Sequence, residues 1–133
     1  RGRGRRSVTD TVTLAFPAQT QNVSLARTVA AAMSARVDLP LDQLEDVRLA
    51  VDEAVSQLIA DSPPGGEIRC SFRSVESGLD IRVSAPSASG LVPPTGTFSW
   101  TVLTALVDSV TATIEDGVVT LGLQVTRSVA VDV

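Results

Sequence analysis

The sequence predicts an α+β domain, a two-layer sandwich in which a five-stranded sheet carries three helices on one face. Two observations lead to this fold class. Five segments alternate apolar and polar side chains, which is the pattern of strands whose sheet is buried on one face only. Three other segments repeat apolar residues at helical spacing. The order strand, helix, helix, strand, strand, helix, strand, strand is typical of helices gathered on one side of an antiparallel sheet.

The chain is predicted to begin with a strand and a helix. The strand covers Thr11 to Phe16 and ends at Pro17, because proline has no amide to give to a ladder. The first helix runs from Asn22 or Ser24, both suitable N-caps, to Arg36. Its predicted apolar stripe consists of Leu25, Val29, Ala32 and Met33.

The second helix is the longest and is predicted from about Leu41 to Ala60. Its apolar stripe consists of Leu44, Val47, Val51, Ala54, Val55 and Leu58. The segment Asp61-Ser62-Pro63-Pro64-Gly65-Gly66 ends this helix, because its prolines and glycines interrupt helical backbone.

A hairpin and a long loop follow the second helix. The hairpin strands contain Ile68 to Arg73 and Leu79 to Ala85, joined by Glu76-Ser77-Gly78. The stretch from Pro86 to Gly96 has no periodicity and is expected to be a loop of unusual length for a small domain.

The last part of the chain predicts a third helix and a second hairpin. The helix is expected from Phe98 to Val110, with Phe98, Val102, Leu106 and Val110 on one side and Leu103 and Val107 beside them. Strands over Thr111 to Glu115 and Val118 to Val131 form the hairpin around Asp116-Gly117.

Composition excludes several classes of protein. The 133 residues, 44% hydrophobic and 20% charged, predict one compact globular domain. One cysteine and no histidine exclude a cysteine-histidine zinc site and the Ser-His-Asp and Cys-His catalytic arrangements. No apolar run reaches the roughly 18 residues that cross a bilayer, and no signal-peptide pattern opens the sequence. A cytoplasmic protein without a membrane partner is therefore expected.

The charged residues are unevenly distributed. All 11 basic residues are arginine, and Arg1, Arg3, Arg5 and Arg6 open the chain. We expect residues 1–10 to form a flexible Arg/Gly-rich tail and residues 11–133 to form the single domain. Contact of such a tail with nucleic acid phosphates is the alternative. The rest of the chain is acidic, which argues against direct DNA binding and suits a basic protein partner.

The long helix carries the residues best suited to chemistry. Glu53 and Gln57 are four positions apart and therefore share one face, away from the apolar stripe. A carboxylate there could polarise a hydroxyl group, and the amide could reach a metal-bound phosphate. A solvated helix face is the alternative interpretation, which spacing alone favours.

Three further residues have an ordinary structural interpretation. Cys70 occupies an inward strand position and is expected to be a buried apolar residue rather than a reactive thiol. Gly96 precedes a helix start, where backbone amides could meet an anion. Trp100 is expected to pack in the core, with an interface anchor as the alternative.

Three segments resemble one known family. Arg48 to Ile59 resembles the asparagine-box helix of the GHKL (Bergerat-fold) ATPases, in the branch of bacterial anti-sigma factors with serine-kinase activity. Asn22 to Arg27 resembles the start of the first helix in that branch. Phe98 to Asp108 resembles the last helix of actinobacterial anti-sigma-F factors. The similarity extends from about Val12 to Leu123 in the family's element order.

The resemblance implies a Bergerat fold and a protein that sequesters a stress-response sigma factor of the sigma-F or sigma-B type. An anti-anti-sigma protein would compete with the sigma factor. The resemblance leaves open whether the chain forms a homodimer. In kinase-competent members, ATP and magnesium serve to phosphorylate a serine of that antagonist. By the same resemblance, Glu53 is the general base and Gln57 stands at the magnesium-binding asparagine. Arg27 stands at the arginine that contacts both the sigma factor and its competitor.

The chain departs from the family pattern at the nucleotide site. The family's adenine-contacting aspartate and the glycine two residues later fall at Ala85 and Ser87, and the second glycine-rich segment keeps Gly96 but has Ser99. Ala85 has no acceptor for an adenine amino group, which costs affinity. The longer side chain of Gln57 displaces its oxygen by about 1 Å from an octahedral magnesium position. We therefore expect a degenerate site that binds ATP and magnesium weakly.

Two function classes follow from these residues. The first is a binding protein, an anti-sigma factor that occludes its sigma factor without catalysis. The alternative is an active ATP-dependent serine kinase that phosphorylates its anti-anti-sigma antagonist. The substitutions at the nucleotide site favour the first class, because phosphoryl transfer depends on positioning of the nucleotide and its metal. A domain of this shape with an unrelated partner is a third alternative.

Overall fold

A computed structural model describes residues 10–129 of the chain. The predicted order of elements is confirmed within this part. The strands are β1 (Thr11–Pro17), β2 (Glu67–Val75), β3 (Gly78–Pro86), β4 (Ser109–Glu115) and β5 (Val118–Thr126). The helices are α1 (Val23–Arg36), α2 (Leu41–Ala60) and α3 (Phe98–Leu106), and a short 3₁₀ turn at Thr20–Asn22 precedes α1.

The five strands form one antiparallel sheet in the order β1-β2-β3-β5-β4. The register places Phe72 of β2 opposite Ile81 of β3, and Ile81 opposite Leu123 of β5. Strand β3 ends beside Val118, at the start of β5, whereas β4 begins beside Gln124, near the end of β5, so the segment between them must run along β5 over one face of the sheet. That crossover contains the long loop and α3, and it forms one side of the site described below.

The core lies between the sheet and the helices, as the two-layer prediction requires. The inward rows of the three central strands are fully buried: Ile68, Cys70, Phe72, Ile81, Val83, Leu121 and Leu123. The stripe of α2 meets these rows through Val47, Val51, Ala54, Val55 and Leu58. Cys70 is fully buried, which confirms that it packs as an apolar residue, and this burial raises the pKa of its thiol to about 12.

The predicted stripe of α1 is wrong at two of its positions. Leu25 is 47% exposed and Ala32 also faces solvent. The core-facing residues are instead Val23, Ala26, Ala30 and Met33. The small side chains of Ala26 and Ala30 let α1 lie close against α2, whereas the larger Leu25 faces solvent. A stripe predicted from the larger apolar side chains therefore places the wrong face of the helix against the core.

The third helix is shorter than predicted and is oriented differently. It ends at Leu106, because Val107 is already extended and Ser109 and Val110 begin β4. Phe98, on the predicted apolar side, is 83% exposed, and the buried residue of α3 is Leu103, which was predicted beside that side. The run of β-branched residues after Leu106 explains the early end, since such residues favour strand over helix.

Both ends of the chain extend past the described residues. The predicted tail lies outside them except for Asp10, whose carboxylate accepts a hydrogen bond from Arg36 Nη1 at 2.6 Å. Strand β5 ends at Thr126, so the prediction that it reaches Val131 is wrong for residues 127–129. Among the helices of the described part, none combines the length and the apolar character required to span a membrane.

Candidate functional site

A cavity of about 350 Å³ lies where the second half of α2 faces the crossover between β3 and α3. Gln57, Ala85 and Ser87, three of the residues singled out from the sequence, line it together. They come from α2, from β3 and from the residue just after β3. The sheet register and the helix packing thus bring to one place residues that are 30 positions apart in the chain.

The floor of the cavity is apolar. Ala85 lies opposite Val119 of β5 in the sheet register, and both are buried. Leu58 of α2 lines the same space, and the crossover adds Leu91 and Val92. At the position where the resemblance implies an aspartate, the strand therefore presents a methyl group beside a valine, with no side-chain acceptor for a ligand.

Asp61 supplies a carboxylate to the cavity from the end of α2. It accepts hydrogen bonds from the Ser87 hydroxyl, from the Ser89 hydroxyl at 2.8 Å and from the Ser89 amide at 3.1 Å. The hydrogen bond from Ser87, followed by that from Ser89, holds the pKa of Asp61 below its usual value. The carboxylate thus stays ionised and ties the start of the crossover to α2.

Asp61 is a site residue that the sequence analysis missed. The signal was present, because Glu53, Gln57 and Asp61 follow one another at intervals of four along one helix face. Asp61 was interpreted as part of the segment that ends the helix. It serves both purposes, since the same residue ends α2 and holds Ser87.

Glu53 and Gln57 are joined through Ser99. The Ser99 hydroxyl donates to the Glu53 carboxylate, and the Gln57 amide donates to the Ser99 oxygen. These side chains are partly buried under the first turn of α3, so the solvated-face interpretation of the pair is wrong. Ser99 is held in this place because Thr97 caps the helix, accepting a hydrogen bond from the Trp100 amide at 3.1 Å.

Gly96 is close to the site in sequence but does not line the cavity. It is exposed, and a methyl group built on it would meet nothing within 4 Å. Its neighbour Thr97 does line the cavity. Trp100 is partly buried and packs against the core, in agreement with the core interpretation of this residue.

The described residues do not fit a magnesium nucleotide. A triphosphate is strongly anionic, yet the lining includes no arginine, and its one ionised side chain is the Asp61 carboxylate. The amide and carboxylate of Gln57 and Glu53 are engaged with Ser99. Within residues 10–129, no group of three acidic or cysteine side chains is arranged to hold a metal ion.

Arg27 lies away from this cavity, on the outer side of the helical layer. Its Nη1 atom is 3.3 Å from Oδ2 of Asp52 on α2, and both side chains are partly exposed. The guanidinium therefore lies across the α1–α2 seam and does not extend freely into solvent. It lines a shallow depression between the two helices together with Arg48 and three small residues, Ser24, Thr28 and Ala31.

Comparison with known proteins gives agreeing results. The sequence profile of the histidine kinase-like ATPase domain matches residues 16–123. The anti-sigma-F factor RsbW of Mycobacterium tuberculosis is 36% identical over 115 residues, which cover 86% of this chain and 68% of that protein. The serine-protein kinase RsbW of Listeria innocua is 32% identical over 78 residues, which cover 56% of this chain and 50% of that one.

A solved structure supports the fold. The crystal structure of the RsbU and RsbW domains of a Mycobacterium tuberculosis protein superposes with a TM-score of 0.69 at 16% sequence identity. The match covers 91% of this chain and 34% of that chain, so this chain spans about a third of it. At this level of identity the likeness establishes the shared α+β fold.

Proposed function

The chain belongs to the histidine kinase-like ATPase domain family, and from that premise we propose that it is an anti-sigma factor. In this role it binds a stress-response sigma factor of the sigma-F or sigma-B type and prevents it from joining RNA polymerase. An anti-anti-sigma protein competes for the same surface and releases the sigma factor. The observation that carries this proposal is the 36% identity to anti-sigma-F factor RsbW along 86% of the chain.

The geometry of the cavity supports binding without catalysis. The Glu53 carboxylate accepts a hydrogen bond from the Ser99 hydroxyl, a side chain of this chain rather than of a substrate. Gln57 is held by the same serine, and Ala85 and Val119 give the floor no polar side chain. We propose that the anti-sigma activity rests on surface contacts alone.

A serine kinase acting on the antagonist is the second candidate. It is favoured by the similarity to serine-protein kinase RsbW and by the presence of a glutamate and an amide on one face of α2. The two candidates differ in their use of nucleotide. A kinase requires ATP at the cavity, whereas an occluding protein does not.

Magnesium ATP is expected to leave the chain unaffected. At millimolar concentration it should shift the melting temperature by less than about 1 °C, whereas a ligand at 100 times its dissociation constant adds about 2.7 kcal/mol of stability. Magnesium chloride alone is the control, and a relative named as a serine-protein kinase can be run in parallel. Micromolar affinity by calorimetry, or transfer of labelled phosphate to the antagonist, would establish the kinase instead.

Arg27→Ala is expected to weaken binding of the sigma factor by about 2 kcal/mol, roughly thirtyfold in the dissociation constant. Stability should change by less than about 1 kcal/mol, because the ion pair with Asp52 is partly exposed. Arg36→Ala is the matched control, since Arg36 is an exposed, singly paired arginine on the same helix. Equal affinities of the two variants in a calorimetric titration would remove Arg27 from the partner surface.

A further inference from the structure

The depression between α1 and α2 presents two guanidinium groups to one space. Arg27 of α1 and Arg48 of α2 line it, and each side chain is 41% exposed. Its volume is about 350 Å³, enough for one or two partner side chains. The family resemblance implies a partner contact for Arg27 only. A role for Arg48 is indicated by its position in the same depression.

Both guanidinium groups are oriented by one ion pair each and still have free donors. Arg27 contacts Asp52 through Nη1, and Arg48 contacts Glu45 through Nη1 at 2.7 Å. A guanidinium carries five N–H donors, and these two bonds are the ones that the groups form within the described residues. Each arginine is thus oriented by one carboxylate and can bind a second one through its remaining nitrogens.

The other lining groups are uncharged, so the two arginines alone determine the charge that the depression attracts. The Ser24 hydroxyl donates to the Gln21 carbonyl and the Thr28 hydroxyl donates to the Ser24 carbonyl at 2.9 Å. Ala31 adds only a methyl group. A ligand that bears negative charge therefore gains most in this depression.

Apolar side chains on the same two helices favour a protein ligand over a free anion. Leu25 of α1 and Leu49 of α2 are 47% and 56% exposed. Protein interfaces combine apolar contacts with arginine, which is enriched there. A small anion would make no use of these leucines.

We propose that Arg48 acts together with Arg27 as a two-arginine receptor for an acidic segment of the sigma factor. This inference rests on the proposed function and deepens it by naming the chemistry of the partner segment. The carboxylates of the segment bind the two guanidinium groups, and the exposed leucines of the same two helices are available to its apolar residues. Specificity arises because a partner segment must supply acidic groups that match both arginines.

The test is calorimetric titration of the full chain with the sigma factor of the same organism. Arg48→Ala should weaken binding at least tenfold, and Arg48→Lys should restore only part of the loss, because lysine cannot bind in a bidentate manner. Arg69→Ala is the control, since Arg69 is an exposed, singly paired arginine on the opposite face of the sheet. Binding by this control should stay within twofold of the parent chain.

The salt dependence of binding and a double substitution provide two further tests of the role of Arg48. The loss caused by Arg48→Ala should be larger at low ionic strength than at high ionic strength. Combined with Arg27→Ala it should be less than additive, because both residues hold the same segment. Parent-like affinity of Arg48→Ala for a sigma factor that the parent chain binds overturns this inference and leaves the anti-sigma function intact. A parent chain that binds no sigma factor overturns both.

Discussion

The Leu103→Ala variant is expected to unfold with a free energy about 3 kcal/mol lower than that of the parent chain. Leu103 is fully buried, and it is the residue through which α3 enters the core. Removal of its side chain leaves a cavity that the surrounding sheet cannot close. Because α3 also carries Ser99, the hydrogen bonds to Glu53 and Gln57 should weaken in the same variant.

Urea unfolding followed by circular dichroism measures this loss. Phe98→Ala is the matched control on the same helix, because Phe98 is 83% exposed and its removal should change stability by less than about 0.5 kcal/mol. Faster amide hydrogen exchange within 98–106 in the Leu103 variant would report the loosening of α3 directly. Equal stability of the two variants would show that α3 is not anchored by its buried leucine.

A second large effect is expected at the turn between β2 and β3. Gly78 has a φ of +159°, and a Cβ at this position would clash with the carbonyl oxygen of Val125. The obstructing atom belongs to the backbone of the neighbouring strand β5, so it cannot move without displacing the ladder. Gly78→Ala should therefore lower the free energy of unfolding by about 3 kcal/mol, combining backbone strain with overpacking.

Gly122→Ala provides the control for this prediction. Gly122 lies within β5, and a Cβ there would meet the Thr111 hydroxyl, the end of a side chain that can rotate away. Its cost should stay below about 1 kcal/mol. Thermal unfolding of the two variants under identical conditions compares them. A smaller effect at Gly78 than at Gly122 would contradict the close packing of the hairpin against β5.

The sequence predicts the fold correctly where large apolar residues recur at the regular spacing of a helix or a strand. The stripe of α2 and the inward rows of β2 and β3 are examples, because large apolar residues there face the core. Prediction fails for α1, whose buried face includes the small residues Ala26 and Ala30, and at the end of α3, where strand propensity after Leu106 prevails over helical spacing. In both places the outcome depends on neighbouring elements that periodicity does not describe.

The candidate site was predictable in part. Resemblance to the family placed Gln57, Ala85 and Ser87 near one another, and the structure brings them to one cavity. The hydrogen bond from Ser99 to Glu53 joins residues 46 positions apart, so no local pattern could have indicated it. The two-arginine depression likewise depends on how α1 lies against α2, which cannot be read from either helix alone.

The hydrogen bonds that join Glu53, Ser99 and Gln57 have a consequence for the dynamics of the regulatory circuit. Under the proposed function, partner exchange at this chain involves no covalent modification and consumes no energy source. Each exchange is then reversible, and the fraction of free sigma factor is set by the relative abundance of the two competing proteins and their affinities. Such a circuit gives a graded output that follows the rate of antagonist synthesis and reverts when the antagonist is degraded or diluted by growth.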